Sequence, residues 1–80
     1  MNRIEILEKI NHILKDVFDD DSLVVTESTE LSDIEGWDSI AQITIIATIE
    51  KEFNVRFRLE DILETKSINK LIDFIEKELK

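Results

Sequence analysis

Few residues in this chain could do chemistry. There is one histidine, His12, and no cysteine; the single glycine and the single tryptophan stand side by side as Gly36-Trp37. Glu35 precedes that pair, and Asp38 and Ser39 follow it. A serine nucleophile needs a base to take its proton. His12 falls on the polar side of a helical stretch, where it reads as solvated surface. Gly-Trp-Asp-Ser-Ile-Ala is not the G-x-S-x-G turn that strains a serine into a nucleophile. A chain of 80 residues also has little room for a substrate cavity. A hydrolase is therefore not expected. The run Asp19-Asp20-Asp21 could open a calcium loop closed by Glu30, but Leu23 stands at a ligand position and Val24 where the sharp turn needs glycine. Without cysteine there is no thiolate metal site and no disulfide framework.

Ser39 itself has two readings. With Gln42 it forms S-x-x-Q, a capping box that opens many helices and contributes roughly 1 kcal/mol. It also ends a long acidic segment, where a side chain is presented outward, and it directly precedes more apolar surface than one buried stripe needs.

The elements that must hold it follow from periodicity. Residues 2–18 read as a helix with Ile4, Leu7, Ile10, Leu14 and Phe18 in a stripe widened by Ile6, Ile13 and Val17. Residues 19–38 show no sustained period, yet Leu23, Val24, Val25, Leu31 and Ile34 give them apolar anchors, so a packed loop is expected. Residues 39–53 read as a second helix stopped by Asn54, which tolerates positive φ. Its core stripe is Ile45, Ile46, Ile49 and Phe53, with Gln42 on the same side hinting at a partly polar interior near Ser39. A second stripe, Ile40, Ile43 and Ala47, needs cover from the loop or from a partner. After the extended link Val55-Arg56-Phe57, residues 59–64 make one or two helical turns. Ser67 caps a last helix with Ile68, Leu71, Ile72, Ile75 and Leu79 on one face, and Lys77 and Lys80 suit its C-terminus.

Charge narrows the partners. The net charge is −9, and residues 16–50 hold ten acids with no lysine or arginine. Such a band repels nucleic acid and anionic lipid and attracts basic protein surfaces. No apolar run approaches the length of a membrane span and nothing reads as a signal peptide, so a cytoplasmic protein is expected.

From Gly36 to Ile40 the chain reads Gly-Trp-Asp-Ser-Ile. It closely resembles the acyl carrier protein family, whose second helix begins with Asp-Ser-Leu; a subset of stand-alone carriers, D-alanyl carriers among them, reads Gly-Trp-Asp-Ser-Leu. Length, acidity, the long first loop and Glu50-Lys51-Glu52-Phe53-Asn54-Val55 fit the same family. The resemblance implies an all-α, four-helix acyl-carrier-type bundle, with three main helices and a short third one, as one carrier domain over residues 1–80. It implies that Ser39 bears phosphopantetheine, donated by coenzyme A through a separate phosphopantetheinyl transferase. The arm's thiol would hold acyl groups as thioesters and shuttle them between enzymes of fatty-acid or specialised acyl biosynthesis, the chain itself being non-catalytic. Glu35, Trp37, Asp38, Ile40, Ile43 and Ala47 would face the transferase and acyl-transferring enzymes, and a monomer would suffice. An aminoacyl, D-alanyl or peptidyl load is the alternative within the class. An unmodified helical adaptor, binding a partner through Ile40, Ile43 and Ala47, is the alternative outside it. The second helix departs from fatty-acid carriers: Ala41, Gln42, Thr44 and Thr48 stand where acids are frequent, which favours a specialised carrier.

Overall fold

The computed structural model describes residues 1–79, and their chain order is helix, long loop, helix, short helix, helix. Helix α1 spans Arg3–Phe18, α2 Ser39–Phe53, α3 Leu59–Glu64 and α4 Ile68–Glu78, with one 3-10 turn at Leu31–Asp33 inside the loop. Local chemistry sets most of the ends. Asn2 caps α1 in a reciprocal capping box with Glu5. Asp19 and Asn54 end α1 and α2 in the left-handed conformation, at φ 49° and 56°. Ser67 caps α4 by accepting the Lys70 N–H at 3.2 Å. In the short α3 the Asp61 side chain accepts from the Arg58 N–H at 3.1 Å.

α1 packs against both α2 and α4. The centre of the core is isoleucine-rich: Ile6, Ile10, Ile45, Ile49, Ile68 and Ile75 are wholly buried, with Leu14, Leu71 and Ile72 beside them. Three apolar residues depart from their expected places. Ile4 is exposed because it sits about 160° round the helix from Ile6, on the far side from the stripe that continues through Ile10, Ile13 and Leu14. Val24 is exposed while Val25 is buried, since the segment is extended and successive side chains face opposite ways. Leu79 falls on the C-cap of α4, where the helix has left the core. Lys80, expected to suit that C-terminus, lies outside the described residues.

The long loop is packed, as its apolar anchors predict. Val25, Leu31 and Ile34 are buried in the core and Leu23 packs on its edge. Asn11 satisfies the Val25 backbone on both sides: its Oδ1 accepts from Val25 N–H at 2.7 Å and its Nδ2 donates to Val25 O at 3.1 Å. A single antiparallel bridge then ties the loop to the start of α4, with Leu31 N–H donating to Lys66 O at 3.0 Å and Ile68 N–H to Thr29 O at 2.9 Å. Arg3 closes the far end. Its guanidinium reaches Glu27 of the loop, and Asp73, Glu76 and Asn69 of α4, at 2.6 to 2.7 Å. These carboxylates push the Arg3 pKa upward, the Glu27 hydrogen bond most. Held this way, the loop delivers Gly36-Trp37-Asp38 to the beginning of α2.

Candidate functional site

α2 starts one residue earlier in its capping than S-x-x-Q suggests. Asp38, not Ser39, is the N-cap: its backbone is extended at φ −128° and its carboxylate accepts the Ala41 N–H at 2.8 Å. Asp38 and Ser39 are both good caps and adjacent, so the backbone path chooses between them. That path comes from Gly36, which turns at φ +88°, and from Trp37, whose ring lies tilted on Phe18 with centroids 6.2 Å apart. Gln42, the expected partner of Ser39 in the box, instead accepts from the Trp37 indole N–H at 3.2 Å.

Ser39 is thus the first residue of α2, exposed and relieved of the cap. Its hydroxyl has no hydrogen-bond partner among the described residues. The backbone N–H groups of Ser39 and Ile40 have none either, because only the Ala41 N–H is taken by Asp38. These are the unpaired donors that every helix start leaves over. His12 lies on α1, exposed and 3.6 Å from Asp16, in keeping with solvated surface.

Around Ser39 the second apolar stripe stays uncovered by the loop: Ile40 is 75% exposed and Ile43 70%, with Ala47 exposed in line with them. Glu35 and Asp38 are exposed at its acidic margin. Trp37 is placed differently from these. It is half-buried and forms part of a wall.

That wall belongs to a cleft of about 700 Å³ beside α2, lined by Ser39, Trp37, Gln42, Ile43, Ile46, Ile62 and Thr65 among others. On its α3 side no residue is fully buried, and Ile62 is the apolar residue of α3 that packs on the core. The hydroxyl of the buried Thr65 donates to Asp61 O at 2.7 Å. Glu50, also in the lining, accepts the Phe57 N–H at 2.8 Å and so holds the link that leads into α3. Neither the cleft nor Thr65 is visible in the sequence; Gln42 in an apolar stripe is the one signal that points there.

The fold and the surface around Ser39 define a class, a small helical domain with an exposed serine at the start of its second helix, beside an exposed apolar stripe. Comparison with known proteins gives the class its family. A profile of the phosphopantetheine attachment site matches residues 6–75. The chain is 34% identical over 76 residues to an acyl carrier protein of Thermosynechococcus vestitus, covering 94% of this chain and 93% of that one. It is 30% identical over 78 residues to an acyl carrier protein of Thermotoga maritima, covering 98% and 96%. Among solved structures, the solution structure of a holo acyl carrier protein from Geobacter metallireducens superposes with a TM-score of 0.84 at 34% identity, over 91% of this chain and 84% of that chain. The crystal structure of an acyl carrier protein from Thermotoga maritima does so with 0.86 at 29% identity, over 99% and 92%. The chain belongs to the acyl carrier protein family. It is a non-catalytic carrier whose prosthetic group is phosphopantetheine, and the family's dealings are with phosphopantetheinyl transferases and acyl-handling enzymes.

Proposed function

We propose that Ser39 is the residue that carries the phosphopantetheine arm, and that residues 1–80 form a single carrier domain acting as a cytoplasmic monomer. The observation that carries this reading is the unengaged hydroxyl. Asp38 does the capping, so Ser39 is at liberty to be esterified without cost to the helix. The surroundings fit a phosphodiester: two unpaired N–H groups and the positive end of the α2 dipole lie at the same spot. The Asp38 carboxylate opposes the phosphate charge, but it is held by Ala41 and keeps the helix end in place. Ser39 Oγ would attack the phosphorus of coenzyme A that bears the pantetheine; the P–O bond of the pyrophosphate breaks, adenosine 3′,5′-bisphosphate leaves, and the serine proton passes to a base on the transferase. When bound, the arm supplies a thiol on which acyl groups travel as thioesters.

The exposed Glu35 and Asp38 are read by basic residues of the transferase and client enzymes, and Ile40, Ile43 and Ala47 form the apolar centre of that contact. Charge steering raises encounter rates more than lifetimes, which suits a shuttle. The load is an acyl group of fatty-acid or specialised biosynthesis, and the α2 surface favours the latter. The helix carries no charged residue from Ser39 to Ile49, and Thr44 and Thr48 turn their hydroxyls back onto Ile40 O and Thr44 O, at 3.1 and 2.8 Å. A client set suited to that neutral face differs from one that reads a row of acids.

The test is an intact mass after incubation with coenzyme A and a broad-specificity phosphopantetheinyl transferase, with Ser39→Ala alongside. A gain of one phosphopantetheine, absent in the variant, is the expected result. No gain with several transferases would return Ser39 to the surface of an unmodified adaptor.

A further inference from the structure

Gln42 stands one helical turn below Ser39 and lines the same cleft. An indole N–H can only donate, so the bond from Trp37 identifies which end of the Gln42 carboxamide is oxygen. The amide nitrogen lies on the opposite side of that group and makes no hydrogen bond to a described residue. No buried side-chain nitrogen or oxygen among those residues lacks a partner, so this nitrogen is open rather than sealed in. Trp37 is itself held, by Phe18 behind it and by the Gly36 turn that brings the two rings together. The result is a pair of oriented N–H donors set beside Ile43, Ile46 and Ile62, in a cleft whose lining also holds Glu50, Thr65 and Lys66.

An unused donor selects what covers it. A saturated chain laid over Gln42 would bury the amide nitrogen unpaired, whereas a carbonyl oxygen would satisfy it. The geometry points to Gln42 as a positioning residue that holds a carbonyl oxygen in the cleft. This rests on Ser39 bearing the arm. Two sources offer that chemistry: the amide carbonyls of the arm, and a 3-oxo group on its acyl load. The Trp37–Gln42 bond orients the donors in either case.

The experiment uses the full chain labelled with ¹⁵N. Ser39 is charged by a transferase with three arms from the corresponding coenzyme A derivatives: free thiol, hexanoyl and 3-oxohexanoyl. Intact mass confirms each attachment. The side-chain NH₂ resonances of Gln42 are expected to move downfield with all three arms if the arm's amides are the source, or only with 3-oxohexanoyl if the load is. Gln42→Glu keeps an acceptor for Trp37 and removes both donors; the arm's resonances should then revert to those of a free arm while the Trp37 indole N–H stays bonded. Gln42→Leu, lacking both functions, should lose the two together. A Gln42 that serves only to support Trp37 would leave the arm unaffected in Gln42→Glu, and that result overturns the proposal. So do NH₂ resonances unmoved by every arm. A chain that gains no mass overturns the Ser39 reading as well, which separates the two failures.

Discussion

Asp38 and Ala41 are joined across the first turn of α2, carboxylate to backbone N–H at 2.8 Å. One hydrogen bond thereby divides two tasks between neighbouring residues. Asp38 holds the helix end and Ser39 keeps a free hydroxyl. Asp38→Ala should lower stability by about 1 kcal/mol in urea denaturation. It should also slow arm attachment, because the first turn frays and Ser39 becomes the substitute cap. Asp38→Ser restores a cap without the charge. If it recovers stability but not the attachment rate, the carboxylate is read by the transferase as well; recovery of both would confine Asp38 to capping.

The apolar patch should separate function from stability. Ile40 and Ile43 are mostly exposed, so Ile40→Gln and Ile43→Gln should each change unfolding free energy by less than about 0.5 kcal/mol. Their kcat/KM as transferase substrates should fall. Ile49, wholly buried, should behave in the opposite sense: Ile49→Ala should lose about 2–5 kcal/mol. Unchanged kinetics in both exposed variants would remove Ile40 and Ile43 from the docking surface.

Salt offers a test of the acidic segment. Residues 16–50 carry ten acids and no base, and exposed charges are screened over about 8 Å at physiological ionic strength. Stopped-flow association with the transferase should slow steeply between low and physiological salt. A rate indifferent to salt would assign the acids to some purpose other than steering.

Gly36 should not tolerate a side chain. Its φ is +88°, a conformation that L side chains rarely adopt, while an added Cβ would only touch the Phe18 ring at ordinary contact distance, 3.4 Å. The conformational strain alone is about 1–2 kcal/mol. Gly36→Ala should therefore melt earlier than the parent and shift the emission of Trp37, the single tryptophan, which packs against the same ring. An unaltered spectrum would mean that Trp37 is held without help from the turn.

The loop also contains a titration that can be followed. The Asp20 carboxyl is held below its usual pKa by the Ser22 hydroxyl first and the Ser22 N–H second, at 2.5 and 3.0 Å. A depressed folded-state pKa contributes stability that is present above the unfolded value and lost as pH falls through the folded one. Ser22→Ala should raise the Asp20 midpoint toward the ordinary carboxylate range in a ¹³C NMR titration. The acid limb of the stability curve should lose the corresponding part. A midpoint that does not move would mean the backbone N–H alone sets it.

The sequence by itself determined what is decided within a few residues. The span of α2 from Ser39 to Phe53 and its core stripe Ile45, Ile46, Ile49, Phe53 follow from helical period, and the left-handed stop at Asn54 and the cap at Ser67 from end chemistry. The Gly-Trp-Asp-Ser stretch likewise carries the family resemblance. Tertiary structure decided what depends on residues far apart in the chain. Asp38, not Ser39, is the cap at the end of a backbone path that runs through the Gly36 turn and Trp37 resting on Phe18. Ile4 left the core because a widened stripe on α1 admits more than one facing direction, and α2 and α4 selected one. The Arg3 cluster joins residues up to 73 positions apart, and the cleft beside Ser39 is lined by the loop at Leu31, by α2 and by Ile62 of α3 together. Local rules act through backbone geometry and hydrogen bonds that a short segment forms alone. Which face is covered, which donor is left over and where a cleft remains are settled only when separate elements compete for the same space.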